Sequence, residues 1–361
     1  MKTLGMFLLV IGVLVSLFFI TALIKGRPLQ VPGPNNLIAS DATLSRILYL
    51  ASLSPSSHNT QLWKVKVHHL SNKVEVAIDA DRVLKVSDKN KHEALISLGA
   101  YVQTMVSAFK AYGYSTQVYF DENTQLALVS YYKNPALSND ADLEHAILKR
   151  HTDKRKLAPV SFDLKDLLNN FSDIEFCKKG SDSYKIIYDN SMLAVHQLSS
   201  DDNYNKELAS WMRFSDKEAK AKLDGLCADT LGMEGITKGI FNTLMTEGIA
   251  TSSVFTRQSE KLYQDQLEHC AGFIYFKNEI ESKSALFETG RTLVKLWLFL
   301  TEKEISVQPI SAVIEVQACK IELKEKLGTN VSLVIRVGKT DNYGSNKLYR
   351  RNVADYVQLE D

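Results

Sequence analysis

Pro55-Ser56-Ser57-His58-Asn59-Thr60-Gln61 lies between an apolar helix pattern and a strand pattern beginning at Trp63. Serine hydroxyls, Asn and Gln amides and free backbone N–H groups supply donors and acceptors side by side. That mixture suits the polar edge of a heteroaromatic ring such as a flavin's pyrimidine. The same composition also serves a capped turn in which Pro55 stops the helix, and residue types alone leave both readings open. A second candidate is Lys149-Arg150-His151-Thr152-Asp153-Lys154-Arg155-Lys156. Arginine offers a bidentate fork, threonine a hydroxyl and lysine a point charge, which together can neutralise a phosphate. A solvated charged surface is the ordinary alternative. Lys347, Arg350 and Arg351 form a further basic cluster, relevant only if the fold carries it to the first.

Other chemistries find little footing. With 43 Lys+Arg against 42 Asp+Glu the net charge is +1, so no global field attracts nucleic acid. Cys177, Cys227, Cys270 and Cys319 form no C-x-x-C pair and have no histidine at ligand spacing. They read as buried thiols rather than a zinc site, a disulfide framework or a nucleophile. The G-x-x-x-x-G-K-[ST], G-x-G-x-x-G and G-x-S-x-G motifs are all missing. His68-His69 has no partner at metal-ligand spacing.

The elements that must position these residues follow from the hydrophobic pattern. Leu4 to Ile24 is free of charge and rich in Leu, Val, Ile and Phe, and about 20 such residues span a hydrocarbon core as a helix. No A-x-A-like cleavage site follows it. The expectation is a retained single-pass membrane anchor over residues 1–25, with orientation open because basic residues flank both ends. Residues 26–39, with Pro28, Pro32, Gly33 and Pro34, read as a linker. A helix follows Asp41. Trp63 to Val67 and Val74 to Ile78 alternate as a hairpin around Ser71-Asn72-Lys73. Ala94 to Tyr112 predicts a long helix stopped by Gly113. Strands are expected at Thr116 to Phe120, Leu126 to Tyr132, Ser183 to Asp189, Gly272 to Phe276 and Val331 to Val337. Helices are expected at Leu143 to Leu148, Tyr204 to Leu223 and Phe287 to Leu300. The helix–strand stretch from Ser97-Leu98-Gly99 to Gln117 can be laid on that from Glu288-Thr289-Gly290 to Gln308, an echo of two related units.

Ala51 to Trp63, with P-S-S-H-N-T-Q at its centre, resembles the loop P-S-S-x-N-x-Q-P-W of the nitroreductase superfamily, with Leu62 in place of the usual proline. Arg150-His151-Thr152-Asp153-Lys154 resembles that superfamily's R-H-S-x-K motif. Here it follows the first motif instead of preceding it, an order similar to the Acg-like branch, in which a fused chain supplies both halves of a dimer. The resemblance implies an α+β, pseudo-dimeric fold with mixed central sheets flanked by helices. Residues 40–145 would form the first half and 146–361 the second, with a lid-like segment at about 200–260. It implies one FMN, with Ser56, Ser57, Asn59 and Gln61 at the ring and Arg150, His151, Thr152 and Lys154 at the phosphate end. Arg350 and Arg351 would reach the same phosphate. Pro309-Ile310-Ser311-Ala312 stands where many members carry P-I-E-G, which puts Ser311 and Ala312 beside the reactive edge.

The activity implied is electron transfer from NAD(P)H through FMN to a nitro compound, quinone or similar small acceptor, with no side-chain catalyst nominated because the flavin carries the chemistry. A lid-covered protein that sequesters flavin without turnover is the alternative. A membrane-tethered interaction module that has lost flavin is a third. No nucleic-acid partner is expected.

Overall fold

The computed structural model describes residues 2–28, 41–161, 164–344 and 348–360, without side-chain detail for residues 2–9 and Leu167. Most of the expected linker and Lys347 fall outside the described residues. Nine strands are described: β1 (Trp63–His68), β2 (Lys73–Ile78), β3 (Tyr114–Asp121), β4 (Leu126–Lys133), β5 (Ile174–Lys178), β6 (Gly272–Asn278), β7 (Ser306–Pro309), β8 (Asn330–Gly338) and β9 (Val357–Glu360). The helices are α1 (Lys2–Lys25), α2 (Ala42–Ser52), α3 (His92–Ala111), α4 (Ala141–Lys149), α5 (Leu164–Leu167), α6 (Asp182–Ser199), α7 (Asp202–Ser210), α8 (Asp216–Lys222), α9 (Gly235–Leu244), α10 (Glu247–Ala250), α11 (Ser253–Glu268), α12 (Lys283–Glu302), α13 (Ala312–Glu315) and α14 (Gln317–Leu327).

The strands form two sheets, in the orders β3-β4-β2-β1-β9 and β5-β6-β8-β7. The expected hairpin is present, with Trp63 opposite Ile78. It works because the alternation of β1 buries Trp63, Val65 and Val67 and leaves Lys64 and Lys66 in water. The first sheet is mixed: β9, from the chain's end, pairs parallel with β1 while the other pairs are antiparallel. Each sheet anchors its own apolar core, one built around Trp63, Tyr101 and Phe109 and the other around Phe273, Phe276 and Trp297.

Helices α3 and α12 join the two cores. Their backbones touch at Gly99 and Gly290: a Cβ on Gly99 would sit 1.9 Å from the Phe287 carbonyl oxygen, and one on Gly290 would sit 2.0 Å from that of Ile96. The sequence echo therefore has a packing cause, since each glycine is what lets the other helix approach.

Three expectations need correction. Ser183 to Asp189 is helical, inside α6, because the Ser181 side chain accepts from the Tyr184 N–H and starts a helix whose buried positions, Tyr184, Ile187, Ser191 and Ala194, follow helical spacing. Tyr204 to Leu223 is two helices, α7 and α8, the second capped by Ser215. The expected membrane-spanning helix finds no support: among the described residues no helix is long and apolar enough to cross a membrane. Helix α1 itself runs from Lys2 to Lys25. Its last turns are also docked on protein. A Cβ on Gly239 of α9 would meet the Ala22 carbonyl oxygen at 1.7 Å, and the Asn242 amide donates to the Lys25 carbonyl at 3.2 Å.

Candidate functional site

Helix α2 ends at Ser52, and the chain then passes through the polar loop into β1. The loop's backbone is unusual: His58, Asn59 and Gln61 have φ of 48°, 54° and 51°, left-handed geometry that non-glycine residues adopt at a cost. Polar bonds hold it there. The Ser56 hydroxyl accepts from the Gln61 N–H at 3.0 Å, and the Ser57 N–H donates to the Ser97 hydroxyl of α3 at 3.3 Å.

The basic run follows α4 and meets this loop. Arg150 is buried; its Nη2 donates to the Leu53 carbonyl at 2.6 Å, and its guanidinium lies over the Trp297 ring at 4.6 Å. Arg350, near the chain's end, donates to the same carbonyl at 3.1 Å and to Asn59 Oδ1, while its Nε is buried with no partner. Neither guanidinium has a carboxylate within ion-pairing distance among the described residues. Burial pushes Arg150 down to about 10, and burial together with Arg150 pushes Arg350 down to about 9. A buried and a half-buried guanidinium thus share one carbonyl without a carboxylate between them. Burial and the neighbouring Arg336 lower Lys154 to about 8; burial and Lys154 lower His58, whose Nδ1 is an orphaned buried atom, to about 4. Both expected segments and the C-terminal arginine thus share one locus.

The other expected residues divide. His151 packs against Tyr343, ring centroids 4.8 Å apart, and its Nδ1 bonds the Lys149 carbonyl; its Nε2 has no hydrogen bond. Thr152 bridges to Val307 of β7. Ser311 donates to Glu315 Oε1 at 2.7 Å, and Ala312 is buried at the start of α13. Asn59 and Gln61 spend their amides on protein: Asn59 Nδ2 reaches the Gly225 and Tyr349 carbonyls, and Gln61 Nε2 reaches that of Leu223 at 2.8 Å. Arg351 N–H donates to Gln61 Oε1 and its Nη1 to the Gln61 carbonyl, so Arg351 braces the loop.

Leu223 and Gly225, which receive those amides, lie in the segment from α7 to α11 expected as a lid, which has a small core of its own around Met212 and Phe241. Asp224 ties this segment down: its carboxylate takes Arg82 at 2.5 Å and Arg213 at 2.6 Å, while Arg82 Nε donates to the Thr60 carbonyl. Glu207 adds a second clasp by accepting the Val86 and Ser87 N–H groups, each at 2.8 Å.

Several residues that matter here were not singled out in the sequence. Arg336 of β8 is fully buried and donates to the carbonyls of Gln266, His269, Asp153 and Arg155, fastening the basic run from below. A lone arginine in an alternating strand was its signal. Glu93 and Glu315 are a buried carboxyl pair that no local motif marks. Among the described residues no cluster suits a metal ion, and the four cysteines are free and buried. Two surface hollows of about 340 and 330 Å³ lie elsewhere, against residues 136–142 and beside β1 and β9.

Fold and site together define an α+β protein in which basic and polar side chains from distant parts of the chain converge between two sheets and their helices. No family model matches the chain. It is 31% identical over 140 residues to a Mycobacterium tuberculosis protein provisionally named NAD(P)H nitroreductase Rv3131, covering 37% of this chain and 39% of that one. It is 33% identical over 138 residues to another from the same organism, provisionally NAD(P)H nitroreductase acg, covering 36% and 40%. A Serratia protein provisionally named NAD(P)H nitroreductase PigM is 34% identical over 74 residues, covering 20% and 21%. The chain spans about two-fifths of the length of the first two. Over those stretches it is similar to proteins named NAD(P)H nitroreductases.

Proposed function

We propose that this chain is an FMN-dependent oxidoreductase of nitroreductase type, a fused pseudo-dimer that holds one flavin beneath its lid and passes electrons from NAD(P)H to a nitro compound, quinone or similar acceptor. The observation that carries the reading is the pair of guanidiniums, Arg150 buried and Arg350 half-buried, which lack a carboxylate partner among the described residues beside a polar loop with left-handed backbone. A phosphate supplies that anion. His58 Nδ1 and Arg350 Nε, both buried and unbonded, are further donors or acceptors awaiting a partner. Bound FMN supplies hydride and electron transfer. The chain's own work is to neutralise the phosphate with Arg150, Arg350 and Lys154, to present the Ser56–Ser57 turn to polar ring atoms, and to exclude water with the lid.

The absorption spectrum of the purified protein, taken with and without added FMN, tests this. A bound flavin spectrum that NAD(P)H bleaches within seconds supports it, and a protein that stays colourless overturns it. The clamp by Asp224 and Glu207 favours a second reading, a flavin-sequestering protein. Its mark is bound FMN that the nucleotide does not bleach. We also propose membrane association through α1, supported by the exposed Leu14, Leu17 and Leu23; co-sedimentation of the full chain with lipid vesicles tests it.

A further inference from the structure

Glu93 on α3 and Glu315 at the end of α13 come together where the polar loop, the Ser311 turn and the lid meet. Glu93 is 7% exposed, and its Oε1 has no hydrogen-bond partner; neither does the buried Oε2 of Glu315. The hydroxyls around them belong to the two segments expected at the flavin ring. Ser311 donates to Glu315 Oε1 at 2.7 Å, and Ser57 and Ser311 both lie beside Glu93. The other titratable groups facing the pair are Asp88 at the head of α3, Tyr204 of α7, with Glu207 beyond it, and Tyr263 of α11. All are acids. The cations of this region bear elsewhere: Lys154 on His58, and Arg336 on Tyr263.

Two facing carboxyls buried without a cation cannot both ionise, because each charge is desolvated and repels the other. Burial and mutual repulsion raise Glu315 well above the usual carboxylate range, and burial raises Glu93. A proton shared between Glu93 and Glu315 would also give the two orphaned oxygens a common hydrogen bond.

We propose that Glu93 and Glu315 share one proton and deliver it to the acceptor during its reduction. The inference rests on the flavoenzyme reading above. For a quinone acceptor the balance is one hydride, carrying two electrons, from the reduced flavin and one proton from the pair. The hydride would leave its bond to the flavin and form one O–H bond on the acceptor, the proton would leave its carboxyl O–H bond and form the other, the product is the hydroquinone, and solvent returns a proton to the pair. The nicotinamide half-reaction draws nothing from it.

Infrared difference spectroscopy in H2O and D2O near pH 7.5 tests the shared proton without any turnover. The measurement uses full-length protein carrying Asp88→Asn, which removes a third acid from the band. We expect the C=O stretch of one protonated carboxyl, with Glu93→Gln and Glu315→Gln each lowering its titration midpoint by at least one pH unit. A spectrum without that band, or a band that neither substitution moves, overturns the sharing. With FMN bound, each Gln variant should slow acceptor reduction about 100-fold, the usual worth of a positioned acid, and leave flavin reduction by NAD(P)H within threefold. Equal slowing of both half-reactions overturns proton delivery. A protein that takes up no flavin overturns the functional reading and the delivery step with it, while the infrared band still decides whether the proton is shared.

Discussion

Arg150→Met separates holding a phosphate from holding the fold together. Arg150 is 2% exposed, and burial takes it from an ordinary 12.5 to about 10. At 1.36 kcal/mol per pH unit, keeping it charged costs the ligand-free protein roughly 3 kcal/mol. Its returns without a ligand are one bond to the Leu53 carbonyl, which Arg350 also serves, and a contact with Trp297 worth up to about 2 kcal/mol. Methionine keeps an apolar stem against Trp297 and relieves Arg350 of a like charge. The ligand-free variant should therefore lie within about 2 kcal/mol of the parent in denaturant unfolding. Affinity for FMN should behave differently, because a charge-assisted bond of about 1.5–3 kcal/mol is lost, raising Kd roughly 10- to 150-fold. Riboflavin, which lacks the phosphate, provides the control in fluorescence-quenching titrations: the substitution should leave its affinity unchanged. Equal weakening of both flavins, or no weakening of either, refutes the placement of the phosphate at Arg150.

Asp88 accepts from the N–H groups of Glu93 and Ala94 at the head of α3, and burial with Glu93 nearby raises it from 3.8 to about 7. A raised carboxyl stabilises the fold below its unfolded value and loses that contribution as pH climbs through 7. Asp88→Asn should thus match the parent near pH 4 and exceed it at pH 8 by up to roughly 4 kcal/mol, as read from denaturation midpoints; an offset that ignores pH counts against the assignment. Gly290→Ala places a Cβ 2.0 Å from the Ile96 carbonyl oxygen and should cost about 3 kcal/mol by forcing α3 and α12 apart. Thermal melts measure it, and an unaltered melt would show that the helices yield freely. Asp224→Asn leaves Arg82 and Arg213 without their carboxylate. Breaking a buried pair costs about 3–5 kcal/mol, so limited proteolysis should cut the lid sooner and FMN should leave faster.

Much of the scaffold was legible because its signals are local. The β1–β2 hairpin follows from strict alternation, and the close approach of α3 and α12 has its sign in a glycine at the same place in two apolar helices. Helix α6 was misread because Tyr184, Ile186 and Ile187 resemble strand residues, whereas the deciding feature is the Ser181 cap. Strand β9 carries too short a pattern to announce a parallel pairing with β1, made across most of the chain. The same distance hid part of the site. Arg150 and Arg350 declare themselves by type, but only folding shows that both address Leu53. Asn59 and Gln61 read as free recognition groups, yet the lid carbonyls that occupy them lie far along the sequence. Glu93 and Glu315 look like ordinary helix acids until the fold sets them face to face.

The left-handed residues at His58, Asn59 and Gln61 act as a spring, and the lid is its latch. Each such residue costs on the order of 1 kcal/mol or more, and Leu223, Gly225 and Arg82 hold the wound conformation through Gln61, Asn59 and Thr60. Were that segment to lift, the restraints from Leu223 and Gly225 would go together, whereas Arg82, which lies outside it, would keep its bond to the Thr60 carbonyl. The loop is therefore held from two sides, and its shape is coupled to the position of the segment above it through Asn59 and Gln61.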